Sequence, residues 1–175
     1  MKKVLVTGAT GFVGRMALAP LVARGYEVHA VLHGPRVDAP GVTWHEADLL
    51  ASPELVRAIA PSHLLHLAWY AVPGKYWTSR ENLRWVRASL ALYDAFVAAG
   101  GTRVVMAGSS AEYDWSSGHC REGDTPIAPA TYYGQAKAAL WNVIREDAKV
   151  AGVSCAWARF FFLSQTSGWV ARVFG

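Results

Sequence analysis

The sequence predicts an α/β domain: a doubly wound parallel sheet of about six strands, in the order 3-2-1-4-5-6, with helices on both faces. Three observations carry this expectation. Short apolar runs alternate with amphipathic helical stretches almost to the end of the chain, the pattern of a parallel sheet built from β-α units. Gly8, Gly11 and Gly14 fall where the first strand hands over to the first helix, the context in which a glycine turn can cradle a dinucleotide. At 175 residues the chain is long enough for one well-buried domain and too short for two ordinary ones.

Lys3 to Thr7 is a short buried strand, and Phe12, Val13, Met16, Ala17 and Leu21 then pick up a helical period. Glycines between them let the backbone turn tightly, approach a pyrophosphate and pack the helix on its strand. Free N–H groups and the positive dipole end of that helix would face the phosphates. Glu27 to Leu32 is the second strand and Val42 to Glu46 the third. Ser52 to Ala60 reads as a helix with a Ser cap and Pro53 at its first position. His63 to Ala68 is the fourth strand. The long helix Ser79 to Ala99 presents Leu83, Val86, Leu90, Tyr93, Phe96 and Val97 on one face, and Gly100-Gly101 closes it. Arg103 to Ala107 is the fifth strand, Thr131 to Val150 the next helix and Val153 to Phe162 the sixth strand. Between them, Asp114 to Ala130 is a long loop rich in Gly, Ser, Pro and charge, placed where ligands bind in such sheets.

Composition narrows the function. A 53% hydrophobic, 17% charged chain is a compact protein, not a disordered one. The formal charge of +4 is modest and its Lys and Arg are scattered. Nucleic-acid binding gains little support from this, while an anionic small molecule suits it. No apolar run approaches transmembrane length. Met1-Lys2-Lys3 precedes an apolar stretch, but Thr7, Gly8 and Thr10 interrupt it and the glycine turn already explains it. Cys120 and Cys155 have no metal-type spacing, and the six histidines share none. His66, in mid-strand, is expected to be a satisfied core residue. No metal, no membrane and no nucleic acid are expected, and a reducing cytoplasm is the simplest compartment.

Two further stretches bear chemistry. In Tyr133-Gly-Gln-Ala-Lys137 the tyrosine and lysine lie one turn apart on one helix face. An adjacent ammonium favours phenolate, which would draw the tyrosine from its usual value of about 10 toward working pH. That suits proton exchange with a hydroxyl or carbonyl. Tyr132, offset by five residues, points elsewhere. The second stretch is the end of the second strand, Leu32-His33-Gly34-Pro35-Arg36. An NAD site would place Asp or Glu there for the ribose 2′-OH; His33 and Arg36 instead offer positive charge for a 2′-phosphate. NADP is therefore preferred to NAD.

The run Thr7-Gly-Ala-Thr-Gly-Phe-Val-Gly14, with its G-x-x-G-x-x-G spacing, together with Tyr133-x-x-x-Lys137, resembles the short-chain dehydrogenase/reductase superfamily. More narrowly it resembles the extended branch, the NAD(P)-dependent epimerases, dehydratases and reductases of nucleotide sugars. The resemblance implies a Rossmann domain holding NADP or NAD over Gly8, Thr10, Gly11, Phe12, Val13 and Gly14. It implies that Asp48, beside Leu49, contacts the adenine, that Leu67, Ala68 and Trp69 pass the cofactor, and that Asn82 braces that wall. Ser109, four residues before Tyr113, would orient the reacting carbonyl, with Ser110 the alternative one place on. Tyr133 would exchange the proton, and Lys137 would tune it and contact the nicotinamide ribose.

In the dehydratases of this family an Asp-Glu pair follows the hydroxyl residue. Here Ser110 and Ala111 stand there, with Glu112 one place later, so reduction or epimerisation of a sugar carbon, at C4, is expected rather than loss of water. The family resemblance also implies a homodimer through helices 79–99 and 131–150, using Leu90, Tyr93, Val97, Leu140 and Val143. An aromatic cluster, Trp69, Tyr70, Tyr76, Trp77 and Trp85, follows the fourth strand. Trp69 and Tyr70 are read either as a stacking wall for sugar or base or as loop packing, and Trp85 as packing. The resemblance covers about residues 3 to 163, giving a cofactor domain 1–163 and a divergent tail 164–175. A fragment, an altered reading frame and a naturally short protein all agree with that tail. A catalytically silent nucleotide-binding protein is the alternative function.

Overall fold

Strands β1 (Lys3–Thr7), β2 (Glu27–Leu32), β3 (Val42–Glu46), β4 (His63–His66), β5 (Arg103–Ser109) and β6 (Ser154–Phe160) form one sheet. Its order is β3-β2-β1-β4-β5-β6, and every pairing between strands is parallel. The computed structural model describes residues 2–32, 34–48, 50 and 54–161. Helices α1 (Phe12–Ala23), α2 (Glu54–Ile59), α3 (Glu81–Ala98) and α4 (Tyr132–Ala151) flank the sheet, and a single 3-10 turn, Ser110–Glu112, follows β5. This is the expected doubly wound architecture.

Residue alternation along β1 builds both core layers, because successive side chains of a strand point to opposite faces. Val4 and Val6 join Val28, Ala30 and Leu18 in one layer. Leu5 joins Val31, Val56, Leu64, Phe96, Met106, Leu140 and Ile144 in the other. β1 neighbours both β2 and β4, so the chain's path reverses there and a crevice opens beyond the carboxyl ends of β1 and β4.

Boundaries shift where distant hydrogen bonds decide them. The fourth strand stops at His66, two residues early, because the amides of Leu67 and Ala68 donate to Thr7 Oγ1 at 3.2 and 3.3 Å. That hydroxyl accepts two bonds and so gives its own proton to His66 Nδ1, 2.6 Å away. His66 Nε2 then donates to Ser89 Oγ at 2.8 Å. His66 is thus a satisfied core residue, and burial first, then Lys137, pushes it down to about 3. The fifth strand runs two residues past expectation because β6 pairs with it as far as Ser109 and Phe160. α4 is capped by Thr131, whose hydroxyl accepts from the Gly134 amide at 3.1 Å. Ser52, Pro53 and Phe162, expected at element ends, and the tail 164–175 lie outside the described residues. Among the described residues no helix is long and apolar enough to cross a membrane. None of their His, Cys, Asp and Glu groups forms a metal-holding cluster.

Candidate functional site

The glycine turn is built by close contact. Gly8 has φ +69°, and a Cβ there would lie 2.7 Å from the Ala68 amide nitrogen. A Cβ on Gly14 would lie 2.2 Å from the Gly8 carbonyl oxygen, so this glycine lets α1 pack onto the turn. Gly11 differs: its nearest neighbour would be that same oxygen at 3.2 Å, and the space its side chain would occupy is part of a groove. Gly11 is also the N-cap of α1, with no side chain capping the helix and no acid in its first turn. First-turn N–H groups are therefore left for an anion.

That groove, about 1,070 Å³, is lined by Gly8, Thr10, Gly11, Phe12, Val13, Gly14, Asp48, Leu67, Ala68 and Trp69. The expected cofactor residues are thereby brought together. Val31, Ala47 and Trp85 line it too, an apolar contribution that no motif announced. Asp48 already accepts from the Leu50 amide at 2.9 Å. Arg36 is exposed beyond β2 and is not brought into the groove, while His33 and Leu49 lie outside the described residues. Asn82 is completely buried. Its amide donates to the carbonyls of Tyr76 and Ser79 at 2.7 and 3.0 Å, and its oxygen accepts from the Trp69 indole at 3.0 Å. Asn82 thus ties Trp69 to the segment before α3, with both its amide N–H groups in use.

A second cavity, about 390 Å³, shares Val13, Leu67 and Trp69 with the groove and holds Ser109, Ser110, Tyr133 and Lys137. Ser109 accepts from the Ala111 amide at 3.2 Å and lies in the cavity close enough to Tyr133 to act on its phenol, whereas Ser110 is buried and its carbonyl accepts from the Trp115 indole. Lys137 is buried, donates to the Ala107 carbonyl at 2.8 Å and lies 3.7 Å from the Trp69 ring centre. Burial pushes this ammonium down to about 7, a shift that Glu112 partly opposes. Tyr133 corrects an expectation. Burial raises its phenol above the usual value; the Ser109 side chain opposes this, and Tyr76 and Glu112 add to it. The expected lowering by Lys137 does not arise, because that ammonium is turned to a carbonyl and an indole face. Tyr132 is exposed, as its offset implied.

Aromatic rings close the cavity. Tyr76 and Trp77 lie 4.3 Å apart and meet Tyr133 edge-on at 4.9 and 5.8 Å. The Trp77 carbonyl accepts from the Tyr133 amide at 3.1 Å, satisfying a donor at the start of α4. Tyr70 lines the groove, not this cavity, and Trp85 packs 6.1 Å from Trp69. Two features escaped sequence reasoning. Gly134 brings α4 against the 3-10 turn, where a Cβ would lie 2.2 Å from the Ala111 carbonyl oxygen. Glu112 is completely buried, and Ser109 and Glu112 form a capping box. The S-x-x-E spacing was the available clue. Among the residues expected to form a dimer, Tyr93 and Leu140 belong to the chain's own core. Leu90 and Val97 pack against that core, while Val143 stays exposed.

A parallel sheet opening on a glycine-lined groove, with Ser109, Tyr133 and Lys137 in an adjoining cavity, is the fold and site pattern of the extended short-chain dehydrogenases/reductases. The chain belongs to the NAD dependent epimerase/dehydratase family, which matches it over residues 4–164. It is 28% identical to a UDP-glucose 4-epimerase of Streptomyces lividans, aligned over 91% of this chain and 51% of that protein. It is 26% identical to a dTDP-6-deoxy-L-talose 4-dehydrogenase (NAD(+)) of Aggregatibacter actinomycetemcomitans, over 92% of this chain and 61% of that one. A UDP-galactose 4-epimerase crystal structure superposes with a TM-score of 0.77 at 27% identity, covering 90% of this chain and 55% of the other. The chain thus spans between half and two thirds of the length of these relatives. The uncapped start of α1 and the cradle at Gly11 fit the family's cofactor.

Proposed function

We propose that this chain acts as an NAD(P)-dependent oxidoreductase or epimerase on a nucleotide-linked sugar, by 4-keto reduction or C4 epimerisation. The observation that carries this is the meeting of Ser109, Tyr133 and Lys137 in a cavity that adjoins the glycine groove. NAD(P), when bound, supplies hydride exchange at its nicotinamide. The chain's own residues supply the rest. Ser109 orients the reacting oxygen by its hydroxyl, and Tyr133 holds the exchanged proton at Oη. Lys137 provides positive charge behind them. Burial raises the Tyr133 phenol above its usual value, so it rests protonated, the form that gives a proton to a carbonyl. Both Glu112 oxygens already accept from donors, which argues against elimination. Among the described residues lining this cavity there is no Asp or Glu to run the loss-of-water chemistry of the family's dehydratases.

Arg36, exposed after a strand end without acid, supports NADP over NAD. Val143, together with Leu83 and Val150, leaves apolar surface on α3 and the α4 end for a homodimer, and the free thiols Cys120 and Cys155 suit a cytoplasmic setting. The test incubates the protein with NADPH or NADH and a panel of 4-keto nucleotide sugars. Tyr133→Phe is expected to lower turnover by roughly 10²–10⁴-fold with cofactor affinity unchanged. A second reading, a catalytically silent nucleotide binder, is favoured by the Lys137 ammonium being turned to the Ala107 carbonyl and the Trp69 ring. Tight cofactor binding without turnover, the same in wild type and Tyr133→Phe, would establish it.

A further inference from the structure

Among the described residues the buried carboxyl, amine and imidazole side chains are Glu112, Lys137 and His66. His66 is spent between Thr7 and Ser89. Glu112, by contrast, lies beneath the site. Its Oε1 accepts from the Ser109 amide at 2.7 Å and the Trp157 indole at 2.9 Å. Its Oε2 accepts from the same indole at 3.0 Å and from Arg159 Nε at 2.8 Å. A carboxylate at this depth is costly unless donors fill its lone pairs, and here they do. Room has been cleared for it: a Cβ on Gly108 would sit 2.2 Å from the Trp157 indole nitrogen and 2.8 Å from Glu112 Oε1.

Tying β5 to β6 does not require a charge, since backbone pairing already runs to Ser109 and Phe160. The charge matters to Lys137. That ammonium faces the Ala107 carbonyl from β5, the Trp69 ring beyond β4, the Trp157 ring from β6 at 5.9 Å, and neutral His66 from β4. Arg159 is occupied by Glu112. Glu112 is the acid next to Lys137: the Trp157 ring that lies 5.9 Å from the ammonium carries the indole nitrogen that donates to both Glu112 oxygens, at 2.9 and 3.0 Å.

We propose that Glu112 is a positioning residue for this site: its buried carboxylate fixes the backbone carrying the Ser109 hydroxyl and is the counter-charge of the Lys137 ammonium. The proposal rests on reading Ser109, Tyr133 and Lys137 as a proton-exchange site. The Glu112 field also adds to the rise that burial, the larger cause, gives the Tyr133 phenol. Removing the charge alone, with shape kept, separates this role from packing.

The experiment follows Lys137 directly by NMR of lysine-¹³Cε-labelled protein titrated with pH, the Lys137 resonance being assigned by its loss in Lys137→Met. Wild type is expected to titrate at about 7. Glu112→Gln is expected to bind that proton about tenfold more weakly, while Arg159→Met, which keeps the carboxylate, is expected not to weaken it. An unchanged midpoint in Glu112→Gln, or an equal drop in Arg159→Met, overturns the proposal. The new amide would face the donors of Trp157 and Arg159. If the single variant does not fold, Glu112→Gln with Arg159→Met removes one clash and carries the same titration. Neither cofactor nor substrate enters the measurement. A protein with this coupling but no turnover would overturn the proposed function and leave the Glu112 inference standing.

Discussion

Lys137 shows what the site costs the fold. Its buried ammonium has a folded-state value of about 7 against 10.5 for the free side chain. Between those values the unfolded chain binds more protons than the folded one, so stability rises with pH through that window and is lost as pH falls toward 7. Replacing the charge by an apolar side chain of similar length removes the penalty. Glu112 keeps Arg159 as its partner, so Lys137→Met is expected to stabilise the protein by about 1–4 kcal/mol near pH 6, with the gain shrinking toward pH 10. Urea midpoints at pH 6, 8 and 10 check this; a gain that does not vary with pH would mean that packing, not charge, is being read. The pairing of Tyr133 with Lys137 was legible from helix spacing alone. The direction in which Lys137 points was not, because the Ala107 carbonyl and the Trp69 ring reach it from segments about 30 and 70 residues away.

At the scale of elements, the three glycines divide their work between folding and binding. Gly14→Ala places a Cβ 2.2 Å from backbone and is expected to destabilise by about 2–4 kcal/mol, seen as a lowered urea midpoint. Gly11→Val meets only one neighbour, at 3.2 Å, and fills the groove instead. Its melting temperature should stay within a few degrees of wild type while NADH and NADPH fluorescence enhancement disappears. Equal loss of stability in both variants would reject the division. β1, β4 and α3 are linked in the same manner by Thr7, His66 and Ser89. His66 falls from 6.5 to about 3 in the folded chain, so its contribution is complete above pH 6.5 and is lost as pH falls toward 3. His66→Gln is expected to flatten the acid limb of stability between pH 6.5 and 4. Sequence periodicity located each of these elements. Strand ends escaped it because the Thr7 hydroxyl and the β6 pairing set them from afar.

For the whole molecule, the strand order followed from the β-α alternation and the first turn, since connections of that kind leave few other parallel sheets. Surfaces were less legible. Apolar spacing along α3 and α4 did not distinguish Tyr93 and Leu140, which face the chain's own core, from Val143, which faces outward. The helices pack on the sheet and on each other at once, so one stripe serves two partners. Cofactor binding is the property that engages the molecule as a unit, because the groove is assembled from the ends of β1, β2, β3 and β4. A ligand that binds only this assembled form at 100 times its Kd stabilises it by about 2.7 kcal/mol. For a chain of this size that corresponds to a rise in melting temperature of roughly 5–11 °C. NADPH is expected to reach this shift at lower concentration than NADH. Arg36→Ala should weaken the NADPH response alone, because the guanidinium would meet only the 2′-phosphate. An equal loss for both cofactors would remove Arg36 from the site and with it the preference for NADP.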